Sequence, residues 1–192
     1  MTVSFNPPSQ PGGNQLNPVA IWVQNLIDSL KAAFAQVNLI RPVIPPVVFE
    51  TGAVATGTTA MPSGDTIPTN AQGDQYMSLA YTPTNANSTL IIDVILVIAA
   101  SASGSGNFLV ASLCQDSTVN ALASGFTSSI GNSFPSQVVF RHKMLAGTTS
   151  STTFKVRAGC NIAGTTTFNG SAGARVLGGS IASSITIAET LP

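Results

Sequence analysis

Apolar side chains recur with two different periods along this 192-residue chain, and the change of period divides it. Between residues 18 and 40 they fall at Val19, Val23, Leu26, Leu30, Ala33, Val37 and Ile40, spaced 4, 3, 4, 3, 4, 3. This heptad seam predicts one helix over 18–40 that packs on other helices. Ile27 and Phe34 widen the stripe and Trp22 flanks it. The ends are well punctuated. Asn17 can cap the first turn, Pro18 occupies the first helical position, Leu16 and Ile21 have staple spacing, and Arg41-Pro42 disfavours further helix. The seam could face the chain's own β region or copies of itself. Pro42, Pro45 and Pro46 hold the helix away from the β region and favour a self-associating bundle. Mixed Val and Leu at the seam do not select two, three or four strands.

From residue 73 the period falls to two. Segments 76–81, 90–99, 108–115, 137–145, 152–160 and 183–188 read as strands, with weaker ones at 119–126, 165–168 and 175–177. Turn residues separate them at intervals of roughly ten, as in a sandwich or barrel. The turn AGTTSS at 146–151 predicts a hairpin between 137–145 and 152–160. The apolar run LIIDVILVIAA at 90–100 is too short to span a bilayer and contains Asp93, so it reads as a core strand and no membrane insertion is expected. Residues 1–17 are an irregular arm with neither the basic region nor the apolar run of a signal peptide. The chain thus reads as four parts: arm 1–17, oligomerising helix 18–40, Pro/Gly/Thr-rich connector 41–70 with extended geometry near its prolines, and β knob 71–192. Eight strands in about 120 residues fit a jelly roll.

Composition narrows the chemistry. Only 7% of residues are charged, against about 25% in an ordinary soluble domain. Seven bases balance seven acids, so no field draws phosphates and no nucleic-acid partner is expected. Polarity comes instead from 22 Ser, 21 Thr and 13 Asn, a surface suited to a β protein that packs against copies of itself. The charges are segregated: residues 42–140 hold five acids and no base, and residues 141–188 hold five bases and no acid. Two readings stand. Opposite charges meet across strands or subunits, which is favoured, or Arg141, Lys143, Lys155, Arg157 and Arg175 form a patch for acidic glycans. Arg157 or Arg175 facing Asp93 would fit a subunit contact.

No catalytic constellation emerges. The one histidine, His142, shares a strand face with Val138, Phe140 and Met144, the setting of a packed residue rather than a general base. No nucleophile elbow, phosphate loop or zinc-protease helix is present. Two cysteines and one histidine cannot make a structural zinc site without carboxylates, so no metal or cofactor is expected. Cys114 and Cys160 each close a strand; free buried thiols are favoured, and a disulfide stays open.

Several pieces of the knob form a recognisable set. They are Gly73-Asp74-Gln75, TPTNANSTL at 82–90, Phe154-Lys155-Val156-Arg157-Ala158-Gly159, Phe168-Asn169-Gly170, Gly178-Gly179 and the closing Ser183-Ser184-Ile185-Thr186-Ile187-Ala188-Glu189. Over residues 73–189 the chain resembles the C-terminal domain of a family of bacteriophage fibre proteins. The resemblance implies a mainly β fold with a tumour-necrosis-factor-like jelly-roll knob that forms a homotrimer, preceded by a trimeric helix bundle and an extended arm. It implies a structural virion protein on the particle exterior, not an enzyme, whose arm 1–17 docks a phage structural protein and whose knob meets the host surface. The single helix, about 35 Å long, is short for a long tail fibre, so tail fibre, head fibre and head decoration all remain open. A carbohydrate-binding module is the alternative role, with a host surface glycan as partner. Recognition is expected on exposed loops at 101–106, 126–136 and 161–164. In the longest of these, Ser128, Ser129, Asn132 and Ser133 offer neutral hydrogen bonds and Phe134 an apolar surface.

Overall fold

The computed structural model describes residues 17–37, 43–102, 106–130 and 134–192. The chain divides into two units at Val43/Ile44. In the first, helix α1 (Pro18–Val37) begins where expected. Asn17 caps it, its Oδ1 accepting the Val19 N–H at 3.0 Å. The arm 1–16 and residues 38–40 lie outside the described residues.

The second unit holds twelve strands among the described residues: β1 (Val47–Thr51), β2 (Ala55–Gly57), β3 (Asp74–Tyr81), β4 (Thr89–Ala100), β5 (Phe108–Gln115), β6 (Ala123–Ser128), β7 (Ser136–Leu145), β8 (Thr152–Cys160), β9 (Thr166–Phe168), β10 (Gly170–Ser171), β11 (Ala174–Arg175) and β12 (Ser183–Thr190). One sheet runs β1-β12-β4-β7 and the other β3-β8-β5-β6, all pairs antiparallel. From β3 onward the long strands change sheet at every connection except β5 to β6, which is the jelly-roll order. The far half of β4 carries β9 on the edge it shares with β12, and β2 pairs β9.

Alternation explains the core. Leu90, Ile92, Val94, Leu96 and Ile98 of β4 point inward, against Leu109, Ala111 and Leu113 of β5 and Phe154 and Val156 of β8. Each large aliphatic or aromatic side chain among them is worth about 1.5–3 kcal/mol once removed from water. The 90–100 run is thus the central core strand, as its composition predicts.

Three expectations are corrected. The segment 41–70 is not simply a connector, because β1 and β2 belong to the knob: Val47 and Phe49 pair with Ile187 and Ile185, and Met61 is fully buried. The hairpin across 146–151 does not form. Strands β7 and β8 lie in opposite sheets, and the turn instead docks on the 86–88 loop, Ala146 and Gly147 donating to the Ser88 and Ala86 carbonyls. The weak strand at 175–177 shrinks to β11 followed by a one-turn 3₁₀ helix at Leu177–Gly179. The thiols of Cys114 and Cys160 are free and buried. Cys114 sits opposite Lys155 and Cys160 opposite Leu109, five residues apart along the β5–β8 ladder, which is too far for a bridge.

Candidate functional site

Helix α1 leaves its seam open. Val19, Val23, Leu26, Leu30 and Ala33 are all exposed, Leu30 by 48% and Val19 by 64%, as are Trp22 and Ile27. The side chain of Val37 and all of Ile40 lie outside the described residues.

A second open apolar surface lies on the knob. Because β4 buries its even-numbered side chains from Leu90 to Ile98, its odd ones face outward, and pairing aligns them with their neighbours. One cross-sheet row is Val48, Thr186, Asp93 and Arg141; the next is Glu50, Ser184, Ile95 and Val139. Ile91, Val97 and Leu145 extend this face, with Val139 and Leu145 largely exposed. The Arg141 guanidinium grips Asp93 from both ends, Nε to Oδ1 at 2.6 Å and Nη2 to Oδ2 at 2.9 Å. Asp93 therefore meets Arg141 across adjacent strands, not Arg157 or Arg175. Acid sits on the β1 side of the face and base on the β7 side, where Lys143 is also exposed.

The five bases do not gather on one sheet: Arg141 and Lys143 stand on β7, Lys155 and Arg157 on β8 of the other sheet, and Arg175 on β11. Arg157 donates to the backbone carbonyls of Gln72 and Gly73 at 2.9 and 2.6 Å, and Lys155 to the Asp116 carbonyl at 2.9 Å. His142 lies half-buried on the inward face of β7, and burial pushes its pKa below the ordinary value. That is the packed setting its strand position predicts.

The three candidate loops gather at one end of the knob. Ser129 donates to the Ala102 carbonyl at 2.6 Å, Thr165 N–H to Ser101 Oγ at 2.8 Å, and Asn161 binds both Phe108 N–H and the Gly106 carbonyl. Ser129 is consequently 3% exposed, so its hydroxyl ties two loops together and is not free for a receptor. Ser128 is exposed, and Phe134 with Ile130 and Ile162 presents apolar surface there. Asn132 and Ser133 lie outside the described residues.

The motif pieces hold architecture. Gly73 needs a positive φ of 62° with no side chain, since a Cβ would meet the Ala158 carbonyl. Asp74 accepts both the N–H and the hydroxyl of Thr59 at 2.9 Å. Asn169 is buried, its amide donating to the Thr51 and Ala53 carbonyls and its Oδ1 accepting from Ser183, while a Cβ on Gly170 would strike the Ala174 carbonyl. Glu189 closes the 82–88 loop: Tyr81 donates to it at 2.6 Å and the Thr84 and Asn85 N–H groups at 3.0 and 3.2 Å. Burial alone would raise the Glu189 pKa, but the Tyr81, Thr84 and Asn85 donors hold it down at about 2. Burial and the Glu189 charge push the Tyr81 phenol up in turn. These long-range polar clips were invisible to sequence reasoning because each joins residues about 100 apart or more, apart from the 14-residue link of Asn169 to Ser183 and the 15-residue link of Asp74 to Thr59.

No family model and no curated protein matches the chain. Its fold is similar to solved structures. One is the Eiger TNF of S. frugiperda, at 11% identity over 79% of this chain and 94% of that one, with a TM-score of 0.47. Another is the EclA C-terminal domain, a sugar-binding protein, at 15% identity over 67% and 78%, with a TM-score of 0.34. A third is the VP2 subviral particle of infectious bursal disease virus, at 15% identity over 76% and 38%, with a TM-score of 0.36. The jelly-roll assignment rests on the strand order of the two sheets.

Proposed function

We propose that this chain is a structural bacteriophage virion protein rather than an enzyme, a homotrimeric fibre that docks to the particle through residues 1–17 and displays its β knob for host-surface attachment. The observation that carries this reading is the open α1 seam, Val19, Val23, Leu26 and Leu30 all standing exposed along one helix. Helices gain most of their stability from packing an apolar face, and the described residues of this helix's own unit offer it none. The outward face of β1-β12-β4-β7 supports the same reading, since Val48, Ile95, Val139 and Leu145 stand exposed on it beside the Asp93–Arg141 pair. Its charges suit self-association: with acid on one side and base on the other, Glu50 of one copy can approach Lys143 of the next.

Native mass spectrometry of the purified full chain is the direct test. A trimer is expected, and a monomer at low micromolar concentration rejects the proposal. Deletion of 1–17 should leave a folded oligomer that no longer joins particles; normal incorporation of the truncated chain would remove the docking role from the arm.

A further inference from the structure

Segment 59–70 crosses the outward face of the β3-β8-β5-β6 sheet and is pinned at both ends. Met61 is fully buried and its N–H donates to the Cys160 carbonyl at 2.9 Å. At the other end the Pro68 carbonyl accepts from Ala121 N–H, and the Asn70 amide donates to the Ser117 and Thr118 carbonyls. Between these tethers the chain stands off the sheet and leaves an open cleft of about 420 Å³, within the size range of small-molecule sites. Pro62 and Pro68 stiffen its wall, and Phe108, Phe126 and Ser124 form its floor. The two phenyl rings meet edge to face, centroids 5.3 Å apart, and Phe126 remains 69% exposed.

The lining holds no ionisable group among the described residues. No base lines the cleft, and the acid Asp65 lies between the lining Gly64 and Thr66. A phosphate or a carboxylate entering it would give up water and gain no counter-charge, which selects against an acidic ligand. The remaining chemistry is two-sided: aromatic and proline carbon on one hand, and the Ser63, Thr66 and Ser124 hydroxyls on the other. A pyranose ring has the same two sides, an apolar C–H face that packs on an aromatic ring and a rim of neutral hydroxyls. The cleft also adjoins the loop end, for Asn161 reaches Ser63 at 3.4 Å and binds Phe108 N–H at 2.7 Å. We infer that this cleft is a binding site for a neutral saccharide, with Phe126 as the stacking platform. The inference deepens the host-attachment reading and rests on it for its biological setting. Because the walls are already tethered, little ordering is needed on binding.

The test uses the full chain on an array of neutral and acidic saccharides. Hits are followed by calorimetry on the wild type, Phe126→Ala and Thr66→Glu. Neutral saccharides should bind, and each substitution should weaken binding at least tenfold with oligomer mass and melting temperature unchanged. Thr66 is exposed on the segment, so this variant keeps the test valid if Phe126→Ala folds poorly. Wild type that binds only acidic saccharides, or none, overturns the inference, as does full binding by both variants. Loss of oligomer mass in the variants also overturns it, because a second copy would then cover the cleft. A trimer that binds no neutral saccharide rejects this site alone and leaves the fibre reading standing.

Discussion

Helix α1 and strand β4 both carry an unbroken row of aliphatic side chains, yet their fates within one subunit are opposite. The inward row of β4, Leu90 to Ile98, is at most 1% exposed, whereas α1 leaves Val19, Val23, Leu26 and Leu30 between 41% and 64% exposed. The side chains are of the same kind, so hydrophobicity does not separate them. The difference is supply of a partner surface: β4 faces the opposite sheet of its own unit, and α1, in a unit without a second element among the described residues, has only its own cylinder. A row of apolar residues thus states what must leave water, and only the surroundings decide whether the same molecule provides the shelter.

The comparison can be broken most forcefully at α1. Leu26→Asp with Leu30→Asp should weaken assembly by at least a hundredfold, roughly 3 kcal/mol or more, because each carboxylate would enter an apolar interface. The knob's melting temperature should stay put. Native mass spectra showing an intact oligomer would mean the seam is not the contact. On the β4 side, Leu96→Ala should lower the knob's stability by about 3 kcal/mol in denaturant titrations, with oligomer mass retained until unfolding.

A polar counterpart sharpens the contrast. Glu189→Gln should cost roughly 2 kcal/mol, the scale of hydrogen bonds to a charged group. The pH signature is separate. Since the Glu189 pKa is depressed to about 2, its contribution is whole above the ordinary carboxylate value of 4.5 and is lost as pH falls from there through the folded pKa. The variant's stability curve should be flatter across that window. His142 acts in the same direction at higher pH, for its buried neutral form favours unfolding once the solution falls below 6.5. The smallest effect concerns the outward face of β4. Glu50→Lys and Lys143→Glu should each weaken association a few-fold, about 0.5–1 kcal/mol, and the double swap should restore it. No recovery in equilibrium sedimentation would place these two groups apart.

Much of the frame was legible in the sequence. The cap at Asn17, the heptad, the six main strands and the central place of 90–100 all follow from local period and turn chemistry. What escaped is non-local. Strands β1 and β2 are short and sit among Pro, Gly and Thr, so only pairing with β12 and β9 makes them strands. The 146–151 turn has hairpin residues, but Phe154, like Phe140 before it, belongs to the space between layers, and tertiary packing sends β7 and β8 to different sheets. Ser129 read as a loop hydroxyl until its bond to Ala102 buried it. The Phe108–Phe126 cleft was hidden for the same reason, since its wall and floor lie some 40 to 60 residues apart in the chain.

The position of β12 between β1 and β4 has a consequence for how the molecule is made. Residues 47–51 and 89–95 leave the ribosome long before 183–190, and both then carry an unpaired edge that only β12 fills. The sheet cannot close during early synthesis, and its most apolar strand waits in a half-built layer. Folding of such a high-contact-order chain is slow, and the waiting edges can pair with the wrong neighbour. Copies emerging side by side on one message are held at high local concentration during that interval. Expression temperature and translation rate should therefore govern the yield of soluble assembly more than they govern the stability of the finished knob.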